Sequence, residues 1–264
     1  MKQHYMLVSD YILKFLEKKK VKKVFLITGG AITFIVDAFS RNKKIQYIDC
    51  GHEQASAMMA DAYSRVGPNF SATMVTSGPG ATNLLTGIAC SWFDSIPSIH
   101  FCGQVNTNEL AGAVKTTKNV RQVGFQETDI VSMAKPITKF SYRIKNEKEI
   151  PYILEKAYQI SVSGRPGPVL IDIPMNFQRK KINLGKLKKY KIKKILKKPD
   201  IKNKVNIAYK LLKKSKRPVI ILGGGVEISK SKDKLNQLFR KFKLPYLTTW
   251  SGKDCCFYGQ KNYI

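Results

Sequence analysis

Hydrophobic and polar positions along the chain predict a strand–turn–helix unit that repeats. Met6, Leu7, Tyr11, Ile12, Phe15 and Leu16 fall at helical spacing over residues 6–20. Val24-Phe25-Leu26-Ile27 then forms a short continuous apolar run, as expected of a strand buried on both faces of a parallel sheet. Thr28-Gly29-Gly30 predicts a turn, and Ile32 to Phe39 a helix. Further strands are predicted at Ile45–Ile48, Ala72–Val75, Ser98–Cys102 and Val169–Ile173. Between the first two of these, Glu53 opens a small-residue run (Ala55, Ala57, Met58, Met59, Ala60, Ala62) that reads as a buried helix. Thr82 to Ala89 reads as the start of another. Such alternation predicts an α/β fold with a doubly wound parallel sheet.

The pattern changes after residue 180. Residues 181–204 read as a basic linker, leaving residues 1–180 as one domain. Beyond the linker come a helix (Val205–Lys214), a strand (Pro218–Leu222), the turn Gly223-Gly224-Gly225, a helix (Asp233–Phe242) and a strand (Pro245–Thr249). Residues 205–264 are therefore the beginning of a second α/β domain. A half-written sheet leaves an apolar edge unpaired, so the expectation is a truncated product or a piece of a longer chain.

Composition narrows the function classes. With 264 residues and 43% hydrophobic content the chain has material for a real core. No apolar run reaches the roughly 18 residues of a membrane span, and the amino-terminal residues lack a signal-peptide layout. Cys50, Cys90, Cys102, Cys255 and Cys256 show no CxxC spacing, which favours reduced thiols and a cytoplasmic location. The net charge of +29 is concentrated: Arg179 to Arg217 holds 18 Lys or Arg against one acid, Asp200. Its densest part, Lys186 to Lys204, has Tyr190 as its single aromatic, too little to stack bases, so the run reads as a solvated linker and helix face. No nucleic-acid or membrane partner is expected. His4, His52 and His100 form no cluster, and no metal site is expected within the chain.

Chemistry concentrates in two stretches, Gly51-His52-Glu53-Gln54 and Thr76-Ser77-Gly78-Pro79-Gly80-Ala81-Thr82-Asn83. Two neighbouring strand-to-helix crossings make a cleft at the carboxyl ends of a parallel sheet, where ligands of such sheets bind. Glu53 would sit beside it. The glycines of the second stretch let backbone approach a flat ring closely. Each stretch also has a plainer reading. In that reading Glu53 complements a helix dipole, worth about 0.3–1 kcal/mol, and Thr82 or Asn83 caps a helix.

The two stretches together resemble the pyrimidine-binding domain of thiamine-diphosphate enzymes, above all the acetolactate synthase large subunit. Further matches occur in the family's order: Gly29-Gly30-Ala31, Gly103-Gln104-Val105, Phe125-Gln126-Glu127-Thr128, Ile137-Thr138-Lys139, Gly164-Arg165-Pro166-Gly167-Pro168-Val169 and Asp172-Ile173-Pro174. The resemblance implies a carboligase or decarboxylase, a transferase acting on pyruvate or a similar 2-keto acid, with a place in branched-chain amino-acid biosynthesis. It implies that Glu53 hydrogen-bonds the coenzyme's aminopyrimidine and is the catalytic carboxylate. Gly29, Gly30, Pro79, Asn83, Gln126 and Arg165 become cofactor-binding candidates, with Arg165 directed to FAD. Phe125 and Lys139 become substrate candidates, although an exposed strand lysine is an equal reading of Lys139.

The same resemblance implies Mg2+ held by a domain outside this chain, a homodimer or higher oligomer, a possible regulatory subunit, and no turnover by these 264 residues alone. Two departures bear on substrate choice. Thr28 stands where a proline usually precedes the two glycines, and the segment Asn106 to Val123 is longer than in the synthases. Longer versions resemble relatives in sugar and surface-polysaccharide pathways. A non-catalytic binding module of the same fold is the remaining alternative.

Overall fold

The computed structural model describes residues 5–67, 70–186, 190, 200–255 and 261–264. Two compact units divide the chain, Met1–Ile192 and Lys193–Ile264. Among the described residues the first has eight strands: β1 (Tyr5–Leu7), β2 (Lys23–Leu26), β3 (Gln46–Asp49), β4 (Ser71–Val75), β5 (Ser98–Gln104), β6 (Phe140–Arg143), β7 (Val169–Pro174) and β8 (Lys181–Asn183). Six of them form one sheet in the order β3-β2-β4-β5-β7-β6, with every pairing parallel. From β2 the chain goes outward to β3 and then returns to the other side of β2 as β4. The switch point lies between β2 and β4, and the crevice outside their carboxyl ends is where such sheets take ligands.

Alternation along the buried strands sends successive residues to opposite faces. One face is apolar throughout: Val24, Leu26, Ala72, Met74, Ile99, Phe101, Val169, Ile171 and Ile173 pack with Ile12 and Leu16 of helix Val8–Lys18, Ile35 and Phe39 of helix Thr33–Arg41, and Leu154 of helix Ile150–Val162. On the opposite face Val75, Cys102 and Leu170 meet Ala57 of helix Glu53–Val66, Ile88 of helix Leu85–Asp94, and Ile130 and Ala134 of helix Ile130–Ala134. This second face also carries buried polar side chains. His100 lies between the hydroxyls of Thr73 (2.8 Å) and Ser98 (2.9 Å). Gln104 and Asp172 are equally buried. Burial pushes the His100 pKa down to about 3, so the ring is neutral.

The first and last strands of this unit depart from the sequence expectation. Residues 6–20 read as one helix, but Tyr5–Leu7 is a strand, paired antiparallel with Lys181–Asn183. That pairing takes residues 181–183 out of the expected linker and into the first unit. The cause is Ile182, buried in the apolar core while its lysine and asparagine neighbours lie toward solvent. Most of the remaining linker, residues 187–189 and 191–199, lies outside the described residues.

The second unit contains helix Ile201–Lys214, β9 (Ile220–Leu222), helices Gly225–Ile228 and Lys232–Lys241, and β10 (Tyr246–Thr248), which pairs parallel with β9. Its core consists of Leu222, Phe239 and Tyr246, the two rings stacked 4.3 Å apart.

Candidate active site

Glu53 is the first residue of its helix. His52 caps that helix from the preceding position, its Nδ1 accepting the Gln54 N–H at 3.1 Å. A capped amino terminus fixes the direction in which the first-turn carboxylate leaves the helix. Asn83 donates to Glu53 Oε2 at 2.9 Å, and among the described residues no donor meets Oε1.

Asn83 closes the short helix Pro79–Thr82, which begins at the glycine turn after β4. Gly78 holds φ +60°, open to glycine at little cost. A Cβ at Gly78 would stand 2.6 Å from the Gln126 Cβ, and one at Gly80 would stand 2.7 Å from Thr76 Cγ2 and 3.2 Å from Glu53 Oε1. A side chain at Gly80 would press on the carboxylate, and one at Gly78 would displace Gln126. Gln126 itself adopts φ +60°, uncommon for a residue with a side chain and a mark of local constraint.

Thr76 joins this turn to the one after β2. Its methyl and hydroxyl lie where a Cβ at Gly29 would be, 2.5 Å from Thr76 Cβ, and its Oγ1 accepts the Ala31 N–H at 3.2 Å. Gln178 holds the same turn from beneath, donating to the Ala31 carbonyl at 2.7 Å. Five candidates from the sequence are thereby gathered near the switch point: Gly29, Glu53, Pro79, Asn83 and Gln126. Gly30 follows on the rim, exposed, and Phe125 is 85% exposed beside Gln126.

Arg165 and Lys139 are gathered elsewhere. They line a cavity of about 370 Å³ with Trp92, Phe93 and Pro166. Arg165 donates to Ser95 Oγ at 2.6 Å. The Lys139 ammonium donates to the carbonyls of Ile160 and Ser163 (2.6 Å to the latter), closing the end of helix Ile150–Val162, and burial lowers its pKa.

Sequence reasoning gave no separate role to Thr76 or Gln178, and did not join the residues of a cluster beneath the Gln126 loop. Asp172 accepts Arg143 Nε at 2.6 Å and Gln104 Nε2 at 3.2 Å on Oδ2. Arg143 and Gln104 both donate to the Thr128 carbonyl, at 3.2 and 2.8 Å. An acid inside an otherwise apolar strand was the available signal.

These features define a doubly wound α/β domain with a single carboxylate held at its switch point, against backbone stripped of side chains. The family model for the thiamine pyrophosphate enzyme N-terminal TPP binding domain matches residues 6–133, and that for the central domain of the same enzymes matches residues 205–264. A probable acetolactate synthase large subunit of Methanocaldococcus jannaschii is 39% identical over 254 residues, 94% of this chain and 41% of the relative. The acetolactate synthase large subunit of Buchnera aphidicola subsp. Schizaphis graminum is 34% identical over 92% of this chain and 42% of its own length. The isozyme 3 large subunit of Escherichia coli K12 is 32% identical over 92% and 41%.

The chain belongs to the thiamine pyrophosphate enzyme family. It is similar to acetolactate synthase large subunits and spans about 41% of the length of the curated relatives it matches. No helix among the described residues is long and apolar enough to cross a membrane.

Proposed function

We propose that this chain supplies the aminopyrimidine-binding half of a thiamine-diphosphate-dependent carboligase or decarboxylase of acetolactate synthase type, acting on pyruvate or a similar 2-keto acid. One observation carries the reading: the Glu53 carboxylate at the switch point, with one oxygen held by Asn83 and the other beside Gly80 with no donor among the described residues. That donor set fits a flat heteroaromatic ring bearing a protonatable nitrogen. When bound, thiamine diphosphate supplies a nucleophilic carbon and an electron sink for 2-keto acid chemistry.

The chain's residues do the rest. Glu53 would hold the ring nitrogen of the coenzyme through a charge-assisted hydrogen bond, roughly twice as strong as a neutral one. Asn83 keeps the carboxylate aimed. Pro79 and Gly80 form the wall, and Gln126, seated on Gly78, forms the rim. Phe125 and Gln126 stand at the mouth for the 2-keto acid. Lys139, engaged by two carbonyls beside Arg165, belongs with the second cavity, whose two rings and two cations suit one end of a flat anionic cofactor such as FAD. Gly29 and Gly30 serve the reaction side of the coenzyme in a homodimer or higher oligomer, and Mg2+ is held by a different domain.

A second reading keeps the coenzyme and changes the acceptor. Residues 106–128 are folded rather than loose: Glu127 accepts the Ala111 and Val123 N–H groups at 2.7 and 3.0 Å, and Gly124 N–H donates to the Glu109 carbonyl at 2.8 Å. This structured segment is continuous with Gln126, a position from which it would select the acceptor.

Glu53→Gln in the full protein is expected to reduce turnover of pyruvate on the order of 100- to 10,000-fold while leaving the circular dichroism spectrum unchanged. Turnover within a few-fold of the unaltered protein would remove the proposal. Product analysis with candidate acceptors separates the two readings.

A further inference from the structure

Asp172 sits in the middle of β7, fully buried, opposite Cys102 of β5 and Arg143 of β6 in the strand register. Its Oδ2 takes both donors described above, and its Oδ1 is buried with no hydrogen-bond partner among the described residues. The groups facing it are Arg143, Gln104 and Cys102, with Asp129 beyond Arg143 (3.6 Å to the guanidinium). Burial pushes the Asp172 pKa up to about 6 against the pull of Arg143 and Gln104.

A buried carboxylate with a half-satisfied donor set is costly for stability alone, since an apolar residue would fill the same strand position more cheaply. What the carboxylate does achieve is geometric. It orients two side chains whose other N–H groups converge on one backbone atom, the Thr128 carbonyl. The Thr128 hydroxyl in turn reaches the Gln126 carbonyl at 3.4 Å, and Gln126 rests on Gly78 in its left-handed conformation. The chain of contacts runs from the sheet interior to the turn beside Glu53.

We infer that Asp172, acting through Gln104 and Arg143, is a positioning residue that fixes the 124–128 loop and thereby the placement of Gln126 over the Gly78 turn. The role rests on the proposed coenzyme site for its consequence in catalysis, but the mechanical coupling does not. Gln104 and Arg143 are positioning residues of the same device. Arg143 contributes a fork that a lysine cannot reproduce, because an ammonium is a single point charge and a guanidinium bonds two acceptors at fixed angles.

The test compares Asp172→Asn and Arg143→Lys with the unaltered full protein, by hydrogen exchange and by kinetics. Arg143 is partly exposed, so the lysine variant keeps the charge pair and folds even where the asparagine variant does not. Both variants are expected to speed amide exchange over residues 124–128 by roughly tenfold or more, while β5 exchange changes by less than about twofold. Turnover of pyruvate should fall on the order of 10- to 100-fold at nearly constant thiamine diphosphate affinity, because a misplaced rim group affects reaction geometry more than cofactor binding.

Unchanged exchange at 124–128, or an equal rise across the whole sheet, overturns the inference, since a purely structural acid would produce one or the other. The exchange readout does not depend on turnover. If Glu53→Gln stays active while the loop loosens in these variants, the function proposal fails and the positioning role stands; the converse result separates them the other way.

Discussion

The two faces of the central sheet use the same strands differently. One is lined by Leu26, Met74, Phe101, Ile171 and their neighbours, apolar at every position of the central strands. The other places His100, Asp172 and Gln104 among Val75, Cys102 and Leu170, beneath the helix that begins with Glu53. Apolar contact is non-directional, so the first face can hold helices against the sheet but cannot fix the angle of a loop. Hydrogen bonds are directional, and each buried one must be completed or it costs stability. The polar face accepts that liability where a loop at the site needs a defined position. Stability and site geometry thus lie on opposite sides of one layer of backbone.

The largest test of this contrast is titration of His100. Its folded pKa, about 3, lies below the ordinary 6.5, so between these values the unfolded chain binds a proton that the folded chain refuses. Its contribution is complete above pH 6.5 and is lost as pH falls toward 3, a change of roughly 4–5 kcal/mol. Urea unfolding from pH 7 to pH 4 should show the part of that decline that falls above pH 4 and that the buried Asp172 does not offset, and His100→Gln should remove it. An unchanged slope in the variant would mean that the polar face is not dry. On the apolar face, Phe101→Ala should cost about 3–5 kcal/mol at every pH, with exchange over residues 124–128 rising only in step with the global loss. A selective rise there would mean that the apolar face also steers the site.

The apolar face was the easier to read from sequence. Val24–Ile27 and Val169–Ile173 announce buried strands because their apolar runs match what a parallel sheet needs, and they fall within a residue of β2 and β7. Glu53 and the Thr76–Asn83 turn were visible because glycines and a lone acid interrupt those runs at their carboxyl ends. The edge strand β6, Phe-Ser-Tyr-Arg, was missed, since half-buried edges carry no continuous apolar signal. β1 was absorbed into the following helix because its apolar residues continue the helical spacing. The grouping of Arg165 with Lys139, and of Asp172 with Arg143 and Gln104, follows from strand order across 26 to 68 residues of chain separation. Local pattern contains no information about such pairing. Thr76 heads a stretch visible in the sequence, but its use as a pillar between two glycine turns depends on β2 and β4 being neighbours.

Asp172 supplies the smallest effect and the most discriminating one, because its sign opposes that of His100. Its folded pKa, about 6, lies above the ordinary 3.8, so the folded chain holds a proton that the unfolded chain has released between these values. Its contribution to stability is full below pH 3.8 and is lost as pH rises toward 6, by roughly 3 kcal/mol. Over pH 4 to 6 the two buried groups partly cancel, which makes the unaltered chain's stability flatter than either alone would. Asp172→Asn removes one side of that balance. The variant should lose stability more steeply on acidification than the native chain, and combining it with His100→Gln should restore a nearly flat profile. A native-like slope in Asp172→Asn would mean that water or a rearranged partner already satisfies the free carboxylate oxygen, and the polar face would then be no more costly than the apolar one.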